Sequence, residues 1–164
     1  MKVHIYWIPG AQGPPLGIMP RPRGDDWLGD EIRSLRSQGV DVLVSLLTTG
    51  EIEELDLADE AAACRSIGIQ FLSFPIDDRS VPANTRAALE FVRLLRQLRL
   101  DGRTVVIHCR AGIGRSSMIA AATLTLNLED VIPAEAWEMI GRARGCSVPD
   151  TAQQVAWVER LHGT

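Results

Sequence analysis

The segment with the clearest chemical potential spans residues 108–116 and reads His-Cys-Arg-Ala-Gly-Ile-Gly-Arg-Ser. It follows an apolar run that is typical of a buried strand, and it precedes a run that is typical of a helix. Backbone N–H groups at such a helix start can bind an anion, and the helix dipole favours negative charge there. Gly112 and Gly114 permit the backbone angles that a curled loop needs. The segment therefore predicts an anion-binding loop with a cysteine at its base.

Cys109 and Arg115 would give this loop a nucleophile and a fixed positive charge. The thiolate is the reactive form of cysteine, and a helix N-terminus beside an arginine favours it. The planar guanidinium of Arg115 can hold two phosphoryl oxygens, while the backbone N–H groups of residues 110–115 bind the charge that spreads over them in the transition state. The predicted chemistry is phosphoryl transfer to sulfur, with no metal or other cofactor. The alternative is a packing turn with a buried spectator cysteine.

The elements that must position this loop alternate along the chain. The pattern predicts strands at residues 3–8, 16–19, 40–47, 69–74 and 104–108. It predicts a helix capped by Asp25 or Asp26 that runs to about Ser37, two helical pieces over 51–67, and helices at 82–100, 114–128, 133–143 and 150–161. This order predicts an α/β fold, with one domain over residues 1–164 and a central, mostly parallel mixed sheet of about five strands flanked by helices. Ligands bind such sheets at the carboxyl ends of the strands, where Cys109 lies.

Composition excludes several other classes of protein. The chain has 164 residues and a formal net charge of -4, so neither nucleic acid nor a membrane is an expected partner. The N-terminal run does not resemble a signal peptide, and the longest apolar stretch is too short to span a bilayer. The three cysteines are too widely spaced for a zinc site or a secreted disulfide framework, so we expect a cytoplasmic protein. Cys64 and Cys146 are interpreted as residues without a catalytic role. The alternative is that one of them forms a protective disulfide with an oxidised Cys109.

Residues 108–117 resemble the signature loop of the cysteine-dependent protein tyrosine phosphatase superfamily. Segments from about residue 16 to the C-terminus are similar, in order, to its compact dual-specificity branch, which includes kinase-associated and cell-division-cycle phosphatases. The resemblance implies that Cys109 is the nucleophile, that Arg115 binds the phosphoryl group, and that Ser116 donates a hydrogen bond to the departing thiolate in a second step. Five residues between the cysteine and the arginine are expected to contact the phosphate: Arg110, Ala111, Gly112, Ile113 and Gly114.

A second catalytic element is expected in the loop that follows the predicted strand at 69–74. A phenolate or alkoxide leaves poorly, so a general acid should protonate it. The family resemblance implies a Pro-Ile-x-Asp pattern with a proline four residues after the acid, and the chain matches this pattern at Pro75, Ile76, Asp78 and Pro82. Asp78 is therefore the predicted acid, with Asp77 as the alternative.

Two further residues, Gln154 and Glu51, are assigned from the same resemblance, and His108 is assigned from its place beside the loop. Gln154 is expected to face the active site and to help orient the hydrolytic water, with an ordinary surface glutamine as the alternative. Glu51 is expected to form an ion pair with Arg115, or else to be a simple helix-start carboxylate. His108 is expected to hydrogen-bond the loop backbone and to hold its shape, with a role in proton transfer as the alternative.

The predicted activity is phosphomonoester hydrolysis through a cysteinyl-phosphate intermediate. The expected substrate is phosphotyrosine, with phosphoserine or phosphothreonine as further candidates, in a protein or peptide. The alternatives are a phosphoinositide, an RNA 5′-phosphate, or a phosphate-binding module without catalysis. Phosphoinositide phosphatases with a similar loop usually have a lysine-rich version of it, whereas this chain has Ala111 and Ile113 at the inner positions. The negative net charge does not favour an RNA substrate. Arsenate reductases and sulfurtransferase-like enzymes also use a cysteine-centred loop. The arsenate reductases have this cysteine near the N-terminus, unlike Cys109, and the sulfurtransferase-like enzymes lack the upstream acid loop.

Overall fold

The computed structural model describes residues 2–9, 13–127 and 130–164. At its centre is a five-stranded sheet in the order β1-β2-β5-β3-β4. The strands are β1 (Tyr6–Ile8), β2 (Leu16–Pro20), β3 (Val42–Ser45), β4 (Gln70–Ser73) and β5 (Val105–Cys109). β1 pairs antiparallel to β2, and the other three pairings are parallel. The predicted α/β fold with a mostly parallel mixed sheet is confirmed.

Helices cover both faces of this sheet. In the described residues they are α1 (Leu28–Ser37), α2 (Thr49–Glu54), α3 (Glu60–Ser66), α4 (Thr85–Leu100), α5 (Arg115–Thr125), α6 (Pro133–Arg144) and α7 (Ala152–Leu161). Side chains alternate along β5, so Val105 and Ile107 pack with α4 to α7, whereas Val106 packs with α1 and α3. Every residue of α5 is buried, which agrees with the small and apolar side chains that make up most of the helix after Arg115. None of the described helices is both long and apolar enough to cross a membrane.

The predicted start of the first helix is wrong. Asp25 and Asp26 make no side-chain cap to α1; they form a short 3₁₀ turn, Asp25–Trp27, that leads directly into it. Asp25 has a positive φ of 53° and its N–H donates to the carbonyl of Asp56. This contact with a distant segment decides the backbone there, and the local sequence does not contain it.

The predicted start of α4 at Pro82 is also wrong. The helix begins at Thr85, because Asn84 is extended and its side chain accepts a hydrogen bond from the Ala87 N–H at 2.9 Å. An asparagine cap satisfies an amide that has no partner within the helix, and this sets the start.

Two further predicted bounds differ from the structure by three residues. The first strand, predicted at 3–8, pairs only over Tyr6–Ile8, because the backbone groups of Val3 bind the side chains of Ser34 in α1 and of Gln38 directly after it. The helix predicted at 114–128 ends at Thr125, and residue 128 lies outside the described residues.

The strand register brings four loops to one edge of the sheet. Cys109 lies opposite Pro20, and His108 lies opposite Ser45, which in turn pairs with Ser73. The loops that follow β2, β3, β4 and β5 therefore meet at the carboxyl edge. This edge holds the candidate site.

Candidate active site

Cys109 ends β5 at the base of the loop formed by residues 110–114, and Arg115 is the first residue of α5. The thiol is almost fully buried, with 2% of the residue exposed. Its Sγ lies 3.3 Å from the Oγ of Ser116, which is itself buried. The structure thus brings the predicted nucleophile and the predicted hydroxyl donor into direct contact.

The two loop glycines stand where a side chain would collide with neighbouring atoms. Gly112 has a φ of +69°, and a Cβ there would lie 2.6 Å from backbone atoms of Met19 and Pro20 at the end of β2. At Gly114 a Cβ would lie 2.1 Å from the Oδ2 of Asp150. The loop is therefore packed against β2 on one side and against the segment before α7 on the other.

Arg115 is held by two bonds to one carboxylate. Its Nη1 donates to Glu51 Oε1 at 2.7 Å, and its Nη2 donates to Glu51 Oε2 at 2.9 Å. Nη1 also donates to the carbonyl of Ile76 at 2.8 Å. The residue is 1% exposed. The expected ion pair between Glu51 and Arg115 is present, and it fixes the guanidinium plane beside Cys109.

The charges of this pair perturb both groups. The hydrogen bond from Arg115 lowers the pKa of Glu51 to about 2, against the raising effect of burial. Burial acts to lower the pKa of Arg115, but the hydrogen bond to Glu51 and the charges of Cys109, Glu51 and Asp78 raise it above its usual value. Arg115 therefore stays positively charged at neutral pH.

The Nε–H of Arg115 is buried and has no acceptor among the residues that the structure describes. A buried donor without an acceptor costs about 1–3 kcal/mol. Because Glu51, Ile76 and Asp78 lie against Nη1 and Nη2, the Nε–H is the guanidinium donor left for an oxyanion. This donor is the strongest single sign that the loop binds a phosphoryl group.

Replacing Glu51 by glutamine is expected to lower the free energy of unfolding by about 3 kcal/mol at pH 7, since it leaves the buried Arg115 charge without its main partner. The folded-state pKa of Glu51 lies below its ordinary value of 4.5, so its stabilising effect is complete above about pH 4.5. The effect is lost as pH falls toward 2. Urea unfolding of both proteins across this range measures the difference.

Glu54→Gln is the matched control for this experiment. Glu54 lies on the same helix and binds Arg110 through two bonds of 3.0 and 3.2 Å, but it is exposed. An exposed pair contributes little, so this variant should unfold like the wild type. A Glu51→Gln protein that is as stable as wild type at pH 7 would contradict the role given to the buried pair.

Asp78 is the aspartate that reaches the arginine. Its Oδ1 lies 3.1 Å from Arg115 Nη2, on a side chain that is 57% exposed. Asp77 is exposed, and its carbonyl accepts the Ser80 N–H at 3.1 Å in the turn that reverses the loop. The bond from Arg115 to the Ile76 carbonyl anchors the loop directly before both aspartates. Of the two, Asp78 has the geometry expected of an acid that faces the site.

Gln154 is fully buried and connects α7 to this acid-bearing loop. Its Oε1 accepts the N–H groups of Asp150 and Thr151, at 3.1 and 3.2 Å. Its Nε2 donates to the carbonyl of Ser80 at 3.0 Å. The surface alternative is therefore wrong, and the contacts show a bridge between the two segments. A direct contact with substrate or water stays a prediction.

Behind the nucleophile lies a buried pair that the sequence did not reveal. His108 is fully buried, and its Nε2 lies 2.5 Å from Glu60 Oε1 on α3. Its Nδ1 is 3.4 Å from the Cys109 carbonyl, in line with the expected role of holding the loop. Glu60 looks like an ordinary helix-start acid in the sequence, since its partner lies 48 residues away.

The remaining cysteines lie apart from this arrangement. Cys64 is buried in the cluster on the opposite face of the sheet from Cys109, and all three cysteines are free. Burial, with the nearby Glu60 charge, raises the pKa of the Cys64 thiol to about 12. Cys146 is exposed beyond the end of α6. These positions favour the interpretation of both as spectators.

Sequence comparison finds known proteins that are similar to this chain over part of its length. The chain is 25% identical over 131 residues to "Cyclin-dependent kinase inhibitor 3" of Rattus norvegicus, which is 80% of this chain and 61% of that protein. It is 26% identical over 87 residues to "Dual specificity protein phosphatase 22" of Mus musculus, covering 53% of this chain and 47% of that protein. The chain thus spans about three fifths or less of the length of these relatives.

Solved structures share the fold over nearly the whole chain. A kinase associated phosphatase, with its catalytic site cysteine replaced by serine, superposes with a TM-score of 0.88 over 98% of this chain and 97% of its own, at 22% identity. Tk-PTP in its active form gives a TM-score of 0.74 at 24% identity, covering 96% of this chain and 95% of its own. At this level of identity the likeness establishes the fold alone.

A match between this chain and the model of one protein family establishes the family. The model described as "Tc-R-P: Polymorphic toxin system, DSP-PTPase phosphatase" matches residues 17–127. The match extends from β2 through the cysteine loop to the end of α5, and so includes Glu51, Asp78, Cys109 and Arg115. With more than half of its length matched, this chain belongs to the DSP-PTPase phosphatase family of polymorphic toxin systems.

Proposed function

We propose that this protein hydrolyses phosphomonoesters with Cys109 as nucleophile and without a metal or other cofactor. The observation that carries the proposal is the buried, unsatisfied Nε–H of Arg115 beside a buried thiol at a helix N-terminus. A phosphoryl oxygen would satisfy that donor. Such a ligand would also place phosphorus within reach of Cys109, because both residues flank the same loop.

In the first step the Cys109 thiolate attacks phosphorus, forming an S–P bond as the bond to the substrate oxygen breaks. Asp78 gives its proton to the departing oxygen, which leaves as a neutral alcohol or phenol. Arg115 and the loop N–H groups of Arg110, Ala111, Gly112, Ile113 and Gly114 bind the equatorial oxygens. Their positions are fixed before reaction, so little reorganisation is needed in the transition state.

In the second step a water molecule attacks the cysteinyl-phosphate, and the S–P bond breaks to release inorganic phosphate. Asp78, now ionised, accepts a proton from the water. Ser116 donates a hydrogen bond to the departing thiolate, which the 3.3 Å contact between Oγ and Sγ supports. Gln154 acts in our proposal by holding the Ser80 carbonyl, and hence the Asp78 loop, in place.

The proposed substrate is a phosphorylated protein or peptide, with phosphotyrosine first and phosphoserine or phosphothreonine as further candidates. The names of the relatives, a cyclin-dependent kinase inhibitor and a dual specificity protein phosphatase, support a protein substrate. The apolar residues Ala111 and Ile113 in the loop support it over a highly charged inositol phosphate. We further propose that residues 1–164 act as one catalytic domain in the cytoplasm, where free thiols persist.

Hydrolysis of p-nitrophenyl phosphate tests the proposal. We expect turnover that vanadate inhibits, because vanadate occupies the same oxyanion site, and that EDTA leaves unchanged. Release of p-nitrophenolate, followed by its absorbance with and without each reagent, measures both effects. A protein that binds phosphate but shows no turnover would contradict catalysis, and loss of activity in EDTA would contradict the metal-free mechanism.

A further inference from the structure

We infer that Arg144, a residue far from the cysteine loop in sequence, is a positioning residue that shapes the loop for anion binding. Arg144 is the last residue of α6. Its Nε donates to the carbonyl of Gly112 at 3.0 Å, and its Nη2 donates to the carbonyl of Ala111 at 3.3 Å. One guanidinium thus binds two consecutive carbonyls of the loop. The inference rests on the proposed function, since it concerns how the same loop binds phosphate.

These two bonds fix the direction of two backbone amides. In a trans peptide the C=O and the following N–H point in opposite directions. A carbonyl of Ala111 that faces Arg144 therefore turns the N–H of Gly112 away from Arg144, and the carbonyl of Gly112 does the same for the N–H of Ile113. Arg144 pulls the carbonyls outward, so that the amides are available to an anion inside the loop.

Arg144 is itself held in a fixed orientation. Its guanidinium lies over the ring of Tyr6, with Cζ 4.2 Å from the ring centroid. This cation–π contact holds the guanidinium over the ring. Gly145 ends α6 directly after Arg144 with a left-handed φ of 77°, and its N–H donates to the Gly141 carbonyl at 2.8 Å. The side chain therefore begins from a defined helix end.

The loop is held by two separate sets of contacts as a result. On the β2 side the N–H of Arg21 donates to the Arg110 carbonyl at 3.3 Å, and Gly112 packs on the backbone at Met19 and Pro20. Arg144 binds it from the α6 side. Without Arg144, the loop would still pack on the β2 backbone at Gly112. The carbonyls of Ala111 and Gly112 would then have no donor among these contacts.

Arg142 lies two residues earlier on the same helix and makes no contact of this kind with the loop carbonyls. Its side chain is 74% exposed, and it pairs with Glu138 one turn away at 2.8 Å. A positive charge near a helix C-terminus is favourable in either position. Only Arg144 reaches the loop, so Arg142 is the matched control.

Phosphate binding tests the inference without requiring turnover. Isothermal titration calorimetry with inorganic phosphate compares three proteins: Cys109→Ser, Cys109→Ser with Arg144→Met, and Cys109→Ser with Arg142→Met. Loss of hydrogen bonds from a charged donor should weaken phosphate binding about 10- to 100-fold in the Arg144→Met protein. The Arg142→Met protein should bind like its parent. Unchanged phosphate affinity in the Arg144→Met protein, even with a lower melting temperature, would overturn the inference.

Kinetics in the otherwise wild-type background give a second measurement. Arg144→Met should raise KM and the vanadate inhibition constant together, without changing how the rate depends on the leaving group, because Asp78 is untouched. Arg144→Lys keeps the charge but not the two-pronged geometry, and should restore part of the affinity. A changed dependence on the leaving group, with the vanadate inhibition constant unaltered, would overturn the inference. Absence of turnover in the wild type would instead refute the proposed function, while the calorimetry still decides on Arg144.

Discussion

Cys109→Ser should lower the turnover number for p-nitrophenyl phosphate at least about 10⁴-fold while phosphate and vanadate still bind. A serine hydroxyl is far less acidic than a thiol, and the loop would have to ionise it without a dedicated base. The binding groups are the Arg115 guanidinium and the loop amides, and the substitution leaves all of them in place. Steady-state kinetics and calorimetry with phosphate measure the two properties separately.

Cys146→Ser is the control for this change. Cys146 is a free, exposed cysteine beyond the end of α6, and its loss should leave turnover at the wild-type level. Full activity in Cys109→Ser would contradict the assignment of the nucleophile. Loss of phosphate binding in that variant would show instead that the sulfur contributes to the binding site itself.

Asp78→Ala should slow hydrolysis of poor leaving groups about 10²- to 10⁴-fold, the usual contribution of a positioned general acid. The effect should nearly vanish for activated aryl phosphates, whose leaving groups depart without a proton. The Asp78 carboxylate lies 3.1 Å from Arg115 Nη2, so its side chain already reaches the proposed phosphoryl-binding group. A series of aryl phosphates of graded leaving-group acidity, compared with an alkyl phosphate, gives the dependence.

Asp77→Ala is the matched control, since it removes the same charge one residue away. Asp77 is exposed, and only its backbone carbonyl takes part in the turn with Ser80. We expect no change in the leaving-group dependence for this variant. If Asp77→Ala shows the steep dependence and Asp78→Ala does not, Asp77 is the acid.

The strand–loop–helix unit around Cys109 was predictable because its signals are local. The apolar run before Cys109, the glycines and the small and apolar residues of α5 are contiguous, and each segment favours its own conformation. The order of strands and helices likewise predicted a mostly parallel sheet. Helix starts were less predictable. A hydrogen bond to Asp56 determines the backbone conformation at Asp25, and the Asn84 cap places the start of α4 at Thr85, not at Pro82.

The acid-bearing loop was predictable only in part. The spacing of Pro75, Ile76, Asp78 and Pro82 indicated a loop and two candidate acids, through resemblance to a family. The choice between the aspartates depends on where their side chains lie, and the anchoring of the Ile76 carbonyl by Arg115 joins positions 39 residues apart. Spacing along the chain carries no information on that contact.

The sequence by itself determined the fold class and the candidates for nucleophile and phosphoryl-binding arginine, because a loop between a buried strand and a helix is specified by neighbouring residues. Only the tertiary structure showed that Glu60 lies behind His108 and that Arg144 binds the loop carbonyls. These partners are separated by 48 and 32 residues, and each looks like an ordinary helix residue in the sequence. Buried polar groups need partners, and the fold supplies them from whichever segments the sheet register brings to the carboxyl edge.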